Sequence, residues 1–316
     1  MAKSPTPRLF VSVIVPLYNE EESIGELYGK IRDVLARMKK PYEMIFIDDG
    51  STDRSFEALG KLHRADRNVK VVRFRRNFGK SAALSVGFQE ARGEYVVTMD
   101  ADLQDDPEEI PGLVEILQDS YDLVSGWKMK RFDPITKKIP SLFFNFVTAK
   151  LTRIPIHDFN CGLKAYRNEV VKEINVYGEL HRYIPALAHW AGYRVTEKPV
   201  EHHPRKYGRT KFGISRFFNG FLDLLTVLFT TRYIRRPLHL FGVWGIVSFI
   251  IGLAIDAYLS VQWVMGTTSL SNRPLFLVGF LFIIIGIQFV SIGLLGEMIS
   301  RQDHDEQVYS IREILK

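Results

Sequence analysis

Two long apolar runs near the C-terminus constrain this chain more than any other feature. Residues 238–261 and 275–299 are each long enough to cross the membrane as a helix, for which roughly 20 apolar residues suffice. The gap between them has Arg273 as its only cation, and the other flanking cations lie outside the pair: Arg232, Arg235 and Arg236 before it, and Arg301, Arg312 and Lys316 after it. The positive-inside rule then places both termini in the cytoplasm. The sequence predicts a transmembrane hairpin; the alternative is two buried core helices.

Small residues interrupt the second run at a regular interval. Gly279, Gly286 and Gly293 recur every seven residues, which places them on one side of a helix. Small residues in this arrangement allow another helix to approach closely. The neighbour is either the first span or a span of another subunit, so a homo-oligomer through the transmembrane helices stays open.

The composition of the whole chain limits what the part before the hairpin can do. A chain of 316 residues has room for about two domains, and its net charge of +6 suits nucleic acid, acidic lipid or a phosphorylated substrate. The single cysteine, Cys161, excludes an internal disulfide framework, and we expect it to be a small packing residue. The N-terminal region offers only a strand-length apolar run, not the core of a secretory signal. We therefore expect the soluble part to face the cytoplasm.

Predicted strands and helices alternate over the first hundred residues. Apolar runs rich in β-branched residues predict strands at 10–17, 42–47, 69–74 and 95–99, and helical periodicity predicts helices at 21–39, 55–65 and 80–91. This order is typical of an α/β fold with a mostly parallel sheet covered on both faces. Such sheets bind ligands at the carboxyl ends of their strands, where the polar clusters of this sequence fall.

An acidic pair, Asp100 and Asp102, follows the fourth predicted strand directly. Two carboxylates one residue apart in a loop can both turn toward one divalent cation. Mg²⁺ typically takes one or two protein carboxylates and leaves its other positions to water and substrate phosphates. We expect Asp105, Asp106, Glu108 and Glu109, a few residues later, to cap the next helix and to stabilise its N-terminus electrostatically.

A second acidic pair, Asp48 and Asp49, ends the second predicted strand. A carboxylate here can accept hydrogen bonds from a nucleobase or a ribose, while Ser51 or Asp53 can cap the following helix. Tyr18 ends the first strand at the same edge and offers an aromatic face to a base. The sequence contains neither a P-loop motif nor the glycine motif of dinucleotide-binding folds, which argues against those two enzyme classes.

Several segments together carry a family resemblance. VPLYNEE (15–21), IDDGSTD (47–53), RNFGKSAAL (76–84) and MDADLQDDPEEI (99–110) resemble the inverting glycosyltransferases of family 2, which have a GT-A fold. Downstream, DFNCGLKAYR (158–167) and RKYGRTKF (205–212) are similar to the polyprenyl-phosphate sugar synthases. That branch includes dolichyl-phosphate mannose synthase and undecaprenyl-phosphate glucosyltransferases with two membrane helices. The resemblance covers residues 10–300.

The domain organisation follows from the hairpin and the resemblance. We expect a GT-A glycosyltransferase domain at 1–213, an amphipathic interfacial helix at 214–237, the hairpin at 238–300 and a cytoplasmic tail at 301–316. Residues 214–233 have a polar stripe and a broad apolar face, and they lead into the first span. These features favour a helix lying at the bilayer surface, although an ordinary packed helix is the alternative.

The resemblance implies a nucleotide-sugar donor and a divalent cation, Mg²⁺ or Mn²⁺. Asp100, Asp102 and Gln104 would hold the cation against the diphosphate. Arg205 and Lys211 would bind the phosphate of the acceptor lipid, or would only attract anionic headgroups. The donor would be bound by residues of the first four motifs and by two basic residues further along the chain: Pro16, Tyr18, Asn19, Glu20, Asp48, Asp49, Ser51, Gly79, Lys80, Asp100, Ala101, Lys128 and Arg131.

The acceptor implied by the resemblance is a phosphate, and this decides whether the reaction needs a general base. A phosphomonoester has a second pKa of about 6, so it is mostly a dianion at neutral pH and can attack without losing a proton. We therefore expect no dedicated base, and Asp158 is the best candidate if one is needed. Lys128, Lys130 and Arg131 either assist the leaving group or form a solvated basic loop. His202 and His203 either line the acceptor segment or are ordinary surface.

The function implied is the inverting transfer of a hexose from a nucleotide-sugar, of the UDP-glucose or GDP-mannose class, to a polyprenyl phosphate at the cytoplasmic face of the inner membrane. This is a step of cell-envelope glycosylation that needs no nucleic acid. One alternative is a processive polysaccharide synthase, whose Q-x-x-R-W motif and additional spans do not occur in this sequence. Another is a non-catalytic membrane adaptor that retains a nucleotide-sugar-binding fold, or a lipid-sugar transporter.

Overall fold

The computed structural model describes most of the chain before and within the hairpin. The described residues are 9–129, 145–146, 148–150, 152, 154–178, 180–204, 206, 237–267 and 273–302. The chain divides into two compact units, Met1–Leu224 and Leu225–Lys316. The predicted interfacial helix at 214–237 lies outside the described residues except for its last residue, at which a membrane helix begins. The predicted boundaries around it therefore stay predictions.

A seven-stranded sheet with the order β3-β2-β1-β4-β6-β5-β7 organises the first unit. Its strands are β1 (Val11–Leu17), β2 (Tyr42–Asp48), β3 (Val69–Arg73), β4 (Tyr95–Thr98), β5 (Leu123–Trp127), β6 (Lys164–Arg167) and β7 (Val195–Pro199). All pairs are parallel except those of β6, which runs antiparallel to β4 and to β5. The expectation of a mostly parallel α/β sheet is confirmed.

Six α-helices in the described part of this unit connect and cover the strands. They are α1 (Ile24–Met38), α2 (Ser55–Ala65), α3 (Lys80–Glu90), α4 (Ile110–Asp119), α5 (Asn168–Glu173) and α6 (Ile184–Trp190). Strand β1 is buried along its whole length, as expected for a central strand covered on both faces. Helix α1 contributes an apolar face of Ile24, Leu27, Ile31, Val34 and Leu35 to the core on one side of the sheet.

The strand order reverses between β1 and β4, which are neighbours although β2 and β3 come between them in sequence. Open α/β sheets bind ligands in the crevice at such a reversal, outside the carboxyl ends of the strands. The loops that follow β1, β2 and β4 all leave from this edge, because the three strands are parallel. The two acidic pairs are therefore on the same edge of the sheet.

The described residues of the second unit form two helices, α7 (Pro237–Val264) and α8 (Pro274–Gln302), and both are long and apolar enough to cross a membrane. They pack through glycines: a Cβ at Gly252 would lie 2.4 Å from the Gly279 oxygen, and one at Gly286 would lie 2.7 Å from the Gly245 oxygen. Ser248 adds a hydrogen bond from its hydroxyl to the Phe282 carbonyl oxygen, at 2.8 Å. The predicted close helix contact is confirmed, and its partner is the first span.

Candidate active site

The acidic loop follows β4 at the reversal point of the sheet. Asp100 and Asp102 are both half-buried, and Ala101 between them is buried in the core. Asp102 Oδ1 accepts a hydrogen bond from the Gln104 N–H at 3.2 Å. Leu103 has φ 61°, a left-handed conformation that is uncommon for a side chain of this size. Strain of this kind concentrates at functional sites, and here it lies between the two predicted cation-binding positions Asp102 and Gln104.

Lysines surround the first carboxylate of the loop. Lys80, the first residue of α3, donates through Nζ to Asp100 Oδ1. Burial alone would raise the pKa of the Asp100 carboxyl, but the Lys80 ammonium outweighs that effect and the pKa falls to about 2. The charges of Lys128 and Lys164 act in the same direction. The Asp100 carboxyl is therefore ionised at any physiological pH.

Gly162 lies directly against the Asp100 carboxylate. A Cβ at this position would be 2.5 Å from Asp100 Oδ2 and 2.9 Å from Oδ1, distances that real Cβ atoms do not reach. The Gly162 carbonyl oxygen is held by the Thr98 hydroxyl at 3.0 Å. The absence of a side chain at Gly162 thus defines where the carboxylate can lie.

Asp105 and Lys128 form a buried ion pair behind the acidic loop, with Nζ and Oδ1 2.8 Å apart. Asp105 also accepts weakly from the Asp100 N–H, at 3.5 Å. Burial alone would lower the pKa of Lys128, but the Asp105 carboxylate raises it above its ordinary value. The expectation that Asp105 caps a helix is wrong, because its side chain is fully buried against Lys128. Asp106 caps the short 3-10 helix Pro107–Glu109 by accepting from the Glu108 N–H at 3.0 Å, and Glu108 and Glu109 lie in the first turn of that helix, as expected.

Lys128 is therefore not part of a solvated basic loop. Its side chain is 14% exposed, so its charge is held inside the domain next to the acidic loop. The ammonium of Lys128 is paired with Asp105. A direct contact between Lys128 and the leaving group stays a prediction, and it requires this ion pair to break. Lys130 and Arg131 lie outside the described residues.

The second acidic pair builds the neighbouring turn. Asp48 is fully buried and accepts from the Ser51 N–H at 2.8 Å. Asp49 accepts from the N–H groups of Phe78 at 2.7 Å and Gly79 at 2.9 Å, which ties the loop after β2 to the start of α3. Burial raises the pKa of Asp49 in spite of these donors. In this conformation both aspartates have protein partners, and their contact with a nucleoside stays a prediction.

The turn after β1 packs against the same loop. The Asn19 N–H donates to Ser51 Oγ, and the Glu20 N–H donates to Ser55 Oγ, both at 2.9 Å. Asn19 has φ 55°, a conformation that asparagine tolerates better than most residues. Two further residues of the predicted donor set belong to this edge: Pro16 and Tyr18.

Asp158, the candidate base, is almost fully buried. Its Oδ1 accepts from the Asn160 N–H at 3.1 Å, and its carbonyl oxygen accepts from the Ser125 hydroxyl at 3.3 Å. These contacts place the side chain inside a turn next to β5. The geometry suits a structural carboxylate, and the expectation that no base is needed stays a prediction.

The segment that leads to the predicted acceptor residues pairs with the continuation of the acidic loop. The His203 N–H donates to the Gln104 carbonyl oxygen at 2.9 Å, and the Gln104 side-chain amide reaches the His203 carbonyl oxygen at 3.4 Å. Asp105 and His202 form an antiparallel bridge, and His203 Nε2 lies 3.0 Å from Asp106 Oδ2. His202 is buried, so it is not ordinary surface. Arg205 and Lys211 themselves lie outside the described residues.

Two groups among the described residues could hold a divalent cation. The first is the predicted set Asp100, Asp102 and Gln104, where the Lys80 ammonium already contacts one carboxylate as a cation would. The carboxylate oxygens and the ionised state of Asp100 fit a hard cation such as Mg²⁺ or Mn²⁺. The second group, with ligand atoms within 4.8 Å of one another, is Asp106, Glu201 and His203. This second group lies next to the first, because Gln104 and Asp105 pair with His202 and His203.

Sequence reasoning assigned no role to three residues that shape this site. Lys164 is buried in β6, where it donates to the Cys161 carbonyl oxygen, and burial lowers its pKa. His181 Nδ1 lies 2.9 Å from Ser81 Oγ, next to Lys80, and burial together with the Lys80 charge lowers the pKa of His181. The third is Gly162, which lies directly against the Asp100 carboxylate. Cys161 is buried as expected, and burial raises its pKa to about 12.

The fold of the first unit is that of the GT-A class of glycosyltransferases. The domain has the GT-A fold of the glucosyl-3-phosphoglycerate synthase from Mycobacterium tuberculosis, in its complex with Mn²⁺, uridine diphosphate and phosphoglyceric acid. The two share a TM-score of 0.55 and 18% sequence identity over 71% of this chain and 78% of that one. The likeness establishes the fold.

The family follows from the sequence comparisons. Residues 12–175 match the family model "Glycosyl transferase family 2", so the chain belongs to glycosyltransferase family 2. It is 37% identical to the dodecaprenyl-phosphate galacturonate synthase of Rhizobium johnstonii, with 98% of this chain and 94% of that protein covered. It is 36% identical to the undecaprenyl-phosphate 4-deoxy-4-formamido-L-arabinose transferase of Edwardsiella ictaluri, with 97% and 94% covered. The chain is a glycosyltransferase whose relatives are polyprenyl-phosphate sugar synthases and transferases.

Proposed function

We propose that this enzyme transfers one sugar from a nucleotide-sugar to the phosphate of a polyprenyl phosphate at the cytoplasmic face of the membrane, with inversion at the anomeric carbon. The observation that carries the proposal is the pairing of Gln104 and Asp105 with His202 and His203. Arg205 follows His203 by two residues, a separation that the backbone spans in about 7 Å. This pairing supports a single site in which the acidic loop and the predicted acceptor residue Arg205 act together.

The donor side is supported by the edge at which β1, β2 and β4 end. The pair Asp48 and Asp49, the turn of Asn19 and the start of α3 meet there through hydrogen bonds of main-chain N–H groups. The side chain of Lys80 links the start of α3 to Asp100. A cation bound by Asp100, Asp102 and Gln104 would supply a Lewis acid that offsets charge developing on the departing nucleoside diphosphate. The glucosyl-3-phosphoglycerate synthase of the same fold has been solved with Mn²⁺ and with uridine diphosphate or UDP-glucose, which makes Mn²⁺ and UDP-sugars the first choices to test.

The acceptor side is supported by the relatives and by the membrane hairpin. Two groups of relatives, named for dodecaprenyl and undecaprenyl phosphate, cover nearly the whole chain, including the hairpin. Arginine binds phosphate bidentately and lysine adds a compact charge, so Arg205 and Lys211 fit the headgroup of such a lipid. Both termini would then lie in the cytoplasm, as the flanking cations predict.

The reaction needs no proton transfer from the acceptor. An oxygen of the lipid phosphate dianion forms a bond to the anomeric carbon while the bond from that carbon to the nucleoside diphosphate breaks. The enzyme contributes position and electrostatics, which is the role we assign to Arg205, Lys211 and the lysines around Asp100. Asp158→Asn then retains turnover, since no base is required; loss of turnover with donor and lipid binding intact would assign Asp158 as the base.

The test is a transfer assay with purified protein, undecaprenyl phosphate and a panel of radiolabelled donors. The panel contains UDP-glucose, GDP-mannose, UDP-galacturonate and UDP-4-deoxy-4-formamido-L-arabinose, because the last two sugars occur in the names of the relatives. We expect label from one donor to enter organic solvent, and EDTA to abolish this transfer. Label in a long aqueous polymer would instead indicate a processive synthase, and no transfer from any of these four donors would exclude them as substrates.

A further inference from the structure

Lys80 occupies the carboxylate to which a divalent cation would bind. Its Nζ donates to Asp100 Oδ1, and its side chain is 29% exposed. The other two lysines near this carboxylate have protein partners inside the domain: Lys128 is paired with Asp105, and Lys164 is buried against the Cys161 carbonyl. Lys80 is therefore the cation of this cluster that is most able to move.

The backbone of Lys80 is fixed on both sides. Before it, the N–H groups of Phe78 and Gly79 donate to Asp49 at 2.7 and 2.9 Å. After it, Ser81 Oγ accepts from the His181 N–H at 3.2 Å and lies 2.9 Å from His181 Nδ1. Because Ser81 Oγ already accepts one hydrogen bond, its hydroxyl can donate to Nδ1, which fits a neutral imidazole. Only the side chain of Lys80 is left to change position, through its four flexible carbons.

Two positive charges cannot share the Asp100 carboxylate at low cost. A divalent cation on Asp100 would repel the ammonium that now lies there, because like charges a few ångströms apart oppose each other strongly in a partly buried site. A nucleoside diphosphate that enters with the cation brings negative oxygens to the same place. Those oxygens offer the displaced ammonium a new partner, and a lysine binds phosphate as a mobile point charge.

We propose that Lys80 is a placeholder cation, which neutralises Asp100 while the site is empty and moves to the donor's diphosphate when a divalent cation and the donor bind. This proposal rests on the proposed nucleotide-sugar site. It predicts opposite effects on two ligands: Lys80 competes with the free cation and assists the nucleotide. A lysine that only stabilised the loop would affect both ligands in the same direction.

The test measures binding of Mn²⁺ alone to the full-length protein in detergent by electron paramagnetic resonance, and binding of UDP in the presence of saturating Mn²⁺ by calorimetry, with GDP measured in parallel. Lys80→Met is expected to bind Mn²⁺ alone about two- to fivefold more tightly, the size of a partly exposed ion pair. It is expected to bind the diphosphate about tenfold or more weakly, the size of a charged hydrogen bond. Lys80→Arg keeps the charge and should restore most of the nucleotide affinity.

The matched control is Lys61→Met, which removes an exposed lysine of α2 and changes the net charge by the same amount. It should leave both affinities unchanged. Weaker or unchanged Mn²⁺ binding in Lys80→Met, or no binding of Mn²⁺ alone by either protein, would overturn the proposal. If the opposite shifts occur but no sugar reaches polyprenyl phosphate in the transfer assay, the placeholder role stands and the proposed acceptor is wrong.

Discussion

Gly162→Ala offers the sharpest test of the geometry of the acidic loop. The added methyl would lie 2.5 Å from Asp100 Oδ2, 2.6 Å from its Cγ and 2.9 Å from Oδ1. Because comfortable contacts begin at about 3.5 Å, the carboxylate must retreat by about 1 Å. A displacement of that size at a reacting centre costs on the order of 100-fold in rate. Crowding of a packed site also destabilises a protein by about 1–3 kcal/mol.

The assay compares initial rates of sugar transfer at saturating substrates, corrected for the folded fraction, over a titration with Mn²⁺. Gly162→Ala should lose about 100-fold in rate and need more Mn²⁺, while its melting temperature falls only moderately. The matched control is Gly29→Ala, in α1, where a Cβ would meet nothing within 4 Å. That variant should gain about 0.5–1 kcal/mol of stability and keep full activity. A Gly162→Ala enzyme within twofold of the wild type, with unchanged Mn²⁺ dependence, would refute the assigned role of Asp100.

Three further predictions concern stability, each measured by thermal unfolding in detergent. Lys128→Met should cost about 3 kcal/mol because it leaves a buried carboxylate unpaired, and adding Asp105→Leu should recover much of the loss; equal losses in the single and double variants would contradict the pair. Gly252→Ala should destabilise the hairpin by about 1–3 kcal/mol, since the new methyl meets a carbonyl of α8 at 2.4 Å, whereas Gly242→Ala, with its nearest contact at 3.4 Å, should be neutral. Burial lowers the folded-state pKa of His181, so the unfolded chain takes up a proton below about pH 6.5 that the folded protein does not. Stability should then fall by about 1.4 kcal/mol between pH 7.5 and 5.5, and less in His181→Gln.

Much of the fold could be predicted because its central strands are continuous apolar runs. The four strands and three helices predicted up to residue 99 all occur within three residues of the expected bounds, and α2 has the bounds expected. β6 and β7 were not predicted. β6 (KAYR) and β7 (VTEKP) are short and polar, and they are held in the sheet by pairing with distant segments instead of by a local pattern.

The sequence predicted the residues of the site only where they directly follow a strand. The acidic pairs fall at the carboxyl ends of β2 and β4, so their shared edge could be expected from topology. The lysines that lie near these carboxylates could not be predicted. Lys128 comes after β5 and Lys164 lies in β6, so their approach to Asp100 depends on strands that the sequence pattern did not reveal.

The central claim is that a sugar is joined to the phosphate of a membrane lipid through the acidic loop, and mass spectrometry of the lipid product tests it most directly. Full-length enzyme, undecaprenyl phosphate, Mn²⁺ and the active donor should yield a lipid heavier by one sugar residue. Asp102→Asn, which removes one predicted cation-binding carboxylate at nearly constant volume, should yield none above background. A product that carries several sugars, an unchanged lipid, or full activity in Asp102→Asn would contradict the account.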